Sequence, residues 1–212
     1  MELKGKKINF LGDSITEGVG TSSPENIYLN VLKRTAELAE ARNYGISGTR
    51  IAKQKNPNDT WGEAFSDRFY KMDDDADVVV VFGGTNDYGH GDAKIGTVDD
   101  KTNDTFYGAC HVLFSGLIKK YPKSEIVVMT PIHRENENVG NASNNKTLKD
   151  YVDIIKEMAV FYSIPVLDLY AMSGLQPNIP EIKEIYVPDG LHPSDLGNQR
   201  IADRLYSFLK NL

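Results

Sequence analysis

The sequence predicts an α/β protein, a three-layer α/β/α sandwich around a central parallel sheet of about five strands. Short apolar runs alternate along the chain with longer segments whose apolar residues recur at helical spacing. One short run has four consecutive valines at 78–81, which is typical of a strand buried on both faces. The 212 residues, 40% of them apolar, fit a single domain spanning residues 1–212.

Five short apolar segments are predicted to be the strands of this sheet. In chain order they are residues 7–11, 41–46, 77–82, 125–129 and 165–168. Ligands of such sheets bind outside the carboxyl ends of the strands. We therefore expect functional residues directly after the first three strands and in the loop before the last helix.

Five longer segments are predicted to be helices: residues 26–40, 61–72, 104–121, 147–162 and 194–212. The helix over 104–121 has the clearest apolar stripe, and Cys110 lies within it, which predicts a buried thiol. Ser194 follows Pro193 and fits the N-cap of the last helix. Gly, Asn, Asp and Pro are dense in three segments that we predict to be loops: 83–103, 131–145 and 175–193.

Composition excludes several classes of protein. The formal net charge of −6 argues against a nucleic-acid-binding protein, which normally carries a basic surface. A single cysteine rules out an intrachain disulfide and fits a reducing compartment. No apolar run approaches the length of a membrane span, and the first residues do not resemble a signal peptide. We therefore expect a soluble, cytoplasmic protein with no membrane partner; its oligomeric state is left open.

Gly12-Asp13-Ser14-Ile15-Thr16-Glu17-Gly18 directly follows the first predicted strand. Gly12 allows a sharp turn, after which the Ser14 hydroxyl lies at the rim of the sheet. A turn and a helix cap explain the same residues equally well, because Ser and Asp favour such positions. For Asp13 we predict a structural role in this loop.

Two further segments follow the second and third predicted strands. Residues 43–48 end in Gly48, whose backbone N–H is unobstructed by a side chain, although an ordinary turn at the end of the strand is the better interpretation of this segment taken alone. Residues 83–87 place the Asn86 amide at the end of the valine strand, where a side-chain donor can stabilise an oxyanion. An Asx turn is the alternative for Asn86.

The fourth segment, Asp189-Gly190-Leu191-His192-Pro193, precedes the last predicted helix. An Asp and a His three residues apart across a glycine can fold back on each other in a tight turn. The Asp189 carboxylate would then accept the Nδ1–H of His192 and leave Nε2 available as a base.

Taken together and in this order, the four segments resemble the four sequence blocks of the GDSL/SGNH hydrolase superfamily. The resemblance extends from the first strand to the last helix, with Ile15 in place of the usual leucine. It implies a flavodoxin-like SGNH hydrolase fold, with Ser14 as nucleophile, His192 as base and Asp189 as the acidic member of a triad. It also implies an oxyanion hole formed by the backbone N–H groups of Ser14 and Gly48 and by the Asn86 side chain, with no metal and no cofactor.

We expect a serine esterase that acts on a small-molecule or carbohydrate ester, through an acyl-enzyme. The loops show no large apolar stretch, which favours a short acyl group such as acetyl on a polar alcohol or carbohydrate. Tyr88 and His133 are candidate substrate-binding residues. Tyr88, Trp61 and Tyr107 are candidates for an aromatic wall, although packing in the core or on the surface is the default interpretation for each.

Three other functions are weighed against this one. A lipase or thioesterase of the same family would act on longer acyl chains. A non-catalytic carbohydrate-binding protein would use the same scaffold. A nucleotide-binding module is disfavoured, because Ser23 stands where the pattern beginning at Gly18-Val19-Gly20 requires glycine.

Overall fold

The computed structural model describes residues 1–56 and 60–212 and contains a five-stranded parallel sheet of strand order β2-β1-β3-β4-β5. The strands are β1 (Lys7–Gly12), β2 (Glu40–Gly45), β3 (Val78–Phe82), β4 (Glu125–Met129) and β5 (Val166–Leu167). All neighbouring pairs are parallel, and Gly12 of β1 lies in register with Gly45 and Phe82. The predicted α/β fold and its five strands are confirmed.

Nine α-helices occur in the described part of the chain. They are α1 (Ser14–Glu17), α2 (Tyr28–Thr35), α3 (Phe65–Arg68), α4 (Thr85–His90), α5 (Phe106–Lys120), α6 (Leu148–Phe161), α7 (Leu169–Met172), α8 (Pro180–Tyr186) and α9 (Asp195–Lys210). Ser194 is the N-cap of α9, as predicted, and its hydroxyl accepts the Gly197 N–H.

Two apolar cores lie on opposite faces of the sheet. Side chains alternate across a strand, so Val79 and Val81 join the core with α5 and α6, whereas Val78 and Val80 join the core with α2 and α9. All five residues of β3 are buried, which explains the continuous valine run. Cys110 is also buried, as predicted.

Several of the predicted helix boundaries were wrong. The helix predicted over 26–40 ends at Thr35, because Glu37 adopts φ +51° and the chain then enters β2. The helix predicted over 61–72 is shortened to α3 and a 3-10 turn over Phe69–Lys71.

Two segments predicted as loops contain short helices, α4 within 83–103 and α8 within 175–193. The residues that indicated loops also begin these helices. Gly84 is the N-cap of α4, and Pro180 is the first residue of α8, where its missing N–H costs no helical hydrogen bond. Among the described residues, no helix combines the length and apolar character that crossing a bilayer requires.

Candidate active site

Ser14 is the first residue of α1, directly beyond the carboxyl end of β1. Asp13 caps this helix, since its carboxylate accepts the Ile15 N–H at 3.1 Å, which agrees with the structural role predicted for it. A Cβ at Gly12 would lie 1.9 Å from the Thr16 hydroxyl oxygen, so α1 can fold back over the strand end only if residue 12 is glycine. Ser14 is 7% exposed at this edge.

The structure brings Ser14, His192 and Asp189 into one line of hydrogen bonds. Ser14 Oγ lies 2.9 Å from His192 Nε2, although the two residues are 178 positions apart in the sequence. On the other side of the ring, His192 Nδ1 lies 2.6 Å from Asp189 Oδ2. This is the arrangement in which Nδ1–H donates to a carboxylate and Nε2 accepts a serine proton.

The turn that carries Asp189 and His192 is stabilised by hydrogen bonds within the turn itself. Asp189 Oδ1 accepts the backbone N–H groups of Leu191 (2.8 Å) and His192 (2.7 Å). Burial acts to raise the pKa of Asp189, but the hydrogen bonds from the His192 backbone, the His192 ring and the Leu191 backbone outweigh it, and the pKa lies below 3.8. Asp189 is therefore ionised and available to accept from the imidazole at neutral pH.

The segment after β4 also stabilises this turn, through contacts of Glu135. The Glu135 N–H donates to the Gly190 carbonyl at 2.8 Å, and the Glu135 carboxylate pairs with Lys183 of α8 at 2.6 Å. Gly190 has φ +79°, and a Cβ there would lie 2.4 Å from Glu135 Oε2. Glycine at position 190 therefore permits both the turn and the close approach of Glu135.

Gly48 lies between α1 and α4 in a loop that both helices contact. The Glu17 carboxylate of α1 accepts the Ser47 N–H at 2.7 Å, and the Asn86 amide of α4 donates to the Thr49 carbonyl at 3.1 Å. Gly48 itself is buried and has φ +75°, a conformation that favours glycine. The structure therefore brings Gly48 and Asn86 together at the end of the sheet where Ser14 lies.

The same loop is tied to α4 by a second side chain. Both oxygens of the buried Asp87 carboxylate accept backbone N–H groups, from Ile51 and from Ala52, each at 2.9 Å. Asp87 is a further residue of the site region that no sequence motif predicted. Its position beside Asn86 was the one available signal.

Arg68 is a buried residue that sequence reasoning missed. It is 6% exposed at the end of α3, and its guanidinium donates to the carbonyls of Gly12 (2.6 Å) and Tyr44 (2.7 Å) and to the Thr49 hydroxyl (3.2 Å). It thereby links the ends of β1 and β2 with the Gly48 loop. From the sequence alone, Arg68 could equally be an exposed charge on a helix, because its three acceptors are distant from it in the sequence.

Replacing Arg68 by alanine is expected to lower the free energy of unfolding by about 3 kcal/mol, through lost charged hydrogen bonds and a cavity beside the Phe65 ring. Arg68→Lys keeps the charge but not the three-way fork, so an intermediate loss is expected. Urea denaturation measures both, with the exposed Arg204→Ala on α9 as control. Equal stability of Arg68→Ala and Arg204→Ala would contradict the linking role.

Two buried carboxylates near the site make stability depend on pH. Burial raises the pKa of Asp13 from 3.8 to about 7 and that of Asp87 to about 6, because the charged forms lose hydration. An acid whose pKa is raised by folding binds more protons in the folded state than in the unfolded state. The contribution of these two carboxyl groups to the free energy of unfolding therefore falls as the pH rises from about 4 towards about 7.

Asp13→Asn is expected to remove part of this pH dependence while keeping the cap, since Asn also accepts at an N-cap. Between pH 5 and pH 8 the wild type should lose on the order of 2 kcal/mol more free energy of unfolding than the variant. Urea denaturation at both pH values measures the difference. Parallel losses in the two proteins would show that Asp13 is ionised in the folded state throughout.

The two candidate substrate-binding residues are Tyr88, which lies on α4, and His133, which lies in the segment after β4. Tyr88 is 6% exposed, and its hydroxyl donates to the Val139 carbonyl at 2.9 Å. His133 Nδ1 lies 2.9 Å from the buried Glu137 carboxylate, and its ring packs on Tyr170. Both side chains support the segment 131–145, and their contact with substrate stays a prediction.

The fold, together with the aligned hydroxyl, imidazole and carboxylate, fits an ester hydrolase of the α/β/α class. The chain belongs to the GDSL-like lipase/acylhydrolase family, whose model matches residues 10–200. This confirms the resemblance that the four sequence blocks indicated.

Solved structures resemble the chain over nearly its whole length. A protein from Lactobacillus plantarum is 32% identical, covers 99% of this chain and 98% of its own, and gives a TM-score of 0.86. A lipase/acylhydrolase from Enterococcus faecalis is 20% identical (97% and 96% covered, TM-score 0.64), and an acetyl xylan esterase is 24% identical (95% and 98%, TM-score 0.63). No curated protein matches the chain.

Proposed function

We propose that the protein is a serine esterase that removes short acyl groups, acetyl above all, from a polar alcohol or carbohydrate. The observation that carries this proposal is the line from Ser14 Oγ through the His192 ring to Asp189, with heavy-atom distances of 2.9 and 2.6 Å. A neutral serine is a weak nucleophile and needs a base within hydrogen-bond reach. His192 Nε2 meets that requirement.

In the first half of the reaction, Ser14 Oγ attacks the ester carbonyl carbon and its proton passes to His192 Nε2. The ionised Asp189 stabilises the resulting imidazolium. His192 then donates this proton to the departing alcohol oxygen as the C–O bond breaks, which leaves an acyl group on Ser14. In the second half, water attacks the acyl carbon, His192 takes the water proton and returns it to Ser14, and the carboxylic acid leaves.

The negative charge on the carbonyl oxygen needs hydrogen-bond donors that are already in place. We assign this role to the backbone N–H groups of Ser14 and Gly48 and to the Asn86 amide. The bond from Asn86 to the Thr49 carbonyl orients the amide, and one N–H of the same NH₂ group is left for the oxyanion. Losing one such donor typically lowers kcat by about 10²–10³-fold.

An active-site label tests the assignment of the nucleophile. A fluorophosphonate probe should modify the wild type, and peptide mass spectrometry should locate the modification at Ser14. Ser115→Ala on α5 should label like the wild type, whereas Ser14→Ala should not label. Modification at another residue, or equal labelling of Ser14→Ala, would refute the assignment.

The short-acyl preference is supported by the character of the surrounding loops and by relatives. Glu17 lies on the same helix as Ser14, and Asp189 is hydrogen-bonded to His192. A long alkyl chain bound beside these charged side chains would desolvate them. One fold relative is an acetyl xylan esterase, and another is an esterase active on acetylated mannans.

A second candidate, hydrolysis of longer acyl esters, is favoured by one observation. A cavity of about 270 Å³ includes Gly20, Ile185 and Leu196, and the last two are exposed apolar residues. Gly20 packs against His192, since a Cβ there would lie 3.0 Å from His192 Cβ. An apolar chain would find contacts in this cavity.

An ester series separates the two candidates. With 4-nitrophenyl esters from acetate to palmitate, we expect kcat/KM to be highest for acetate and at least about tenfold lower for octanoate. Ser14→Ala measures the background rate of each ester. Faster hydrolysis of octanoate than of acetate would favour the longer-chain candidate.

A further inference from the structure

Trp61 is a large aromatic side chain that the proposed mechanism does not use, and 51% of it is exposed. Its ring lies directly on Gly48, because a Cβ at position 48 would be 2.1 Å from Trp61 Cε3. The indole thus occupies the space that a side chain at residue 48 would fill. An exposed aromatic ring therefore packs on Gly48, one of the two residues that we assign to the oxyanion hole besides Ser14.

His90 extends this surface towards the other donor. The rings of Trp61 and His90 have centroids 5.3 Å apart and are tilted by 40°. His90 and Asn86 are four residues apart on α4 and so share one face of that helix. The two rings, which we call the Trp61–His90 platform, border both Gly48 and Asn86.

The orientation of His90 is set by Arg50. Arg50 Nη1 lies 3.1 Å from His90 Nδ1, and since a guanidinium only donates, Nδ1 accepts. In the neutral ring the proton is then on Nε2, which serves as a hydrogen-bond donor. The exposed His90 therefore adds a polar group to the edge of the platform.

A polar cavity, lined mainly by charged and polar residues, lies beside the platform, because its wall includes Arg50, which contacts His90, and Gly62, which follows Trp61 in the chain. It has a volume of about 370 Å³, and its wall includes Arg50, Lys53, Gln54, Glu63 and Asp67. A pyranose ring presents C–H groups on its faces and hydroxyl groups around its edge, so it can stack on the indole while its hydroxyls bind these side chains. An alkyl chain in the same place would desolvate the charged groups.

We propose that the Trp61–His90 platform and the adjoining polar cavity form the subsite for a pyranoside that carries the ester. This proposal rests on the proposed esterase function and names its substrate class. Trp61 stacks on the sugar ring, and His90 and the cavity wall bind its hydroxyl groups. Specificity for a sugar ester over a simple acetate then depends on the platform, whereas the chemical step depends on Ser14 and His192.

Two acetate esters, one with a sugar and one without, test the proposal. The probes are monoacetylated methyl glycosides of xylose, glucose and mannose, and ethyl acetate, whose leaving group has no ring that could stack on Trp61. In Trp61→Ala and His90→Ala, kcat/KM for the preferred glycoside should fall by at least about tenfold, while that for ethyl acetate changes less than about threefold. Trp61→Phe should recover part of the loss. Tyr70→Ala, at a similarly exposed aromatic residue, is the matched control.

The remaining outcomes overturn the proposal and separate its failure from that of the esterase function. Equal losses with both kinds of ester would show that Trp61 and His90 only support Gly48 and Asn86. Unchanged hydrolysis of the glycoside would show that the platform does not contact the sugar. A wild type that hydrolyses ethyl acetate but none of the glycosides would refute the subsite alone. A wild type that hydrolyses neither kind of ester would refute the esterase function as well.

Discussion

Ser14→Ala is expected to lower kcat for acetate esters by about 10⁵–10⁶-fold, which is the size of effect seen when a serine nucleophile is removed. The reason is that, among the described residues, the Ser14 hydroxyl is the one that is hydrogen-bonded to His192 Nε2, at 2.9 Å. The residual rate should come from the oxyanion donors and from binding alone. Acetate release by purified wild type and variant, prepared in parallel, measures the loss.

The control for Ser14→Ala is its stability. The substitution removes one hydroxyl from a residue that is 7% exposed and leaves the Asp13 cap unchanged, so the midpoint of thermal unfolding should stay close to that of the wild type. A folded Ser14→Ala protein that keeps more than about one hundredth of the wild-type kcat would contradict the nucleophilic role.

His192→Ala is expected to cause a loss of similar size, about 10⁵-fold or more in kcat, because serine without its base is not activated. Asp189→Asn should lower kcat by a smaller factor, about 10⁴-fold, since the imidazole remains but loses the carboxylate that sets its tautomer. Steady-state rates with 4-nitrophenyl acetate measure both variants.

The double variant Ser14→Ala/His192→Ala gives the sharper test of this second prediction. If the two side chains act as one unit, the double variant should be no slower than either single variant. A loss of kcat in the double variant equal to the product of the two single losses would show that Ser14 and His192 contribute independently. That result would refute the proton transfer between them, although each residue would still be important.

The strands could be predicted from the sequence because their signals are local. An alternation of short apolar and helical segments, with four valines in one strand, is read directly from neighbouring residues. The short helices α4 and α8 were missed because Gly84 and Pro180, which begin them, mark a helix start as well as a loop. The short helix α7 begins after Asp168, a residue that favours turns and helix caps alike. Their lengths are set by contacts with other parts of the fold.

The sequence by itself determined the sheet, the family and the order of the four blocks that supply Ser14, Gly48, Asn86 and His192. Only the tertiary structure decided that Ser14 and His192 meet, and that Arg68, Asp87 and Glu135 hold the loops around them. The physical reason is that a hydrogen bond depends on distance in space. The acceptors of Arg68 come from three separate segments, and no local pattern in the sequence records that they converge.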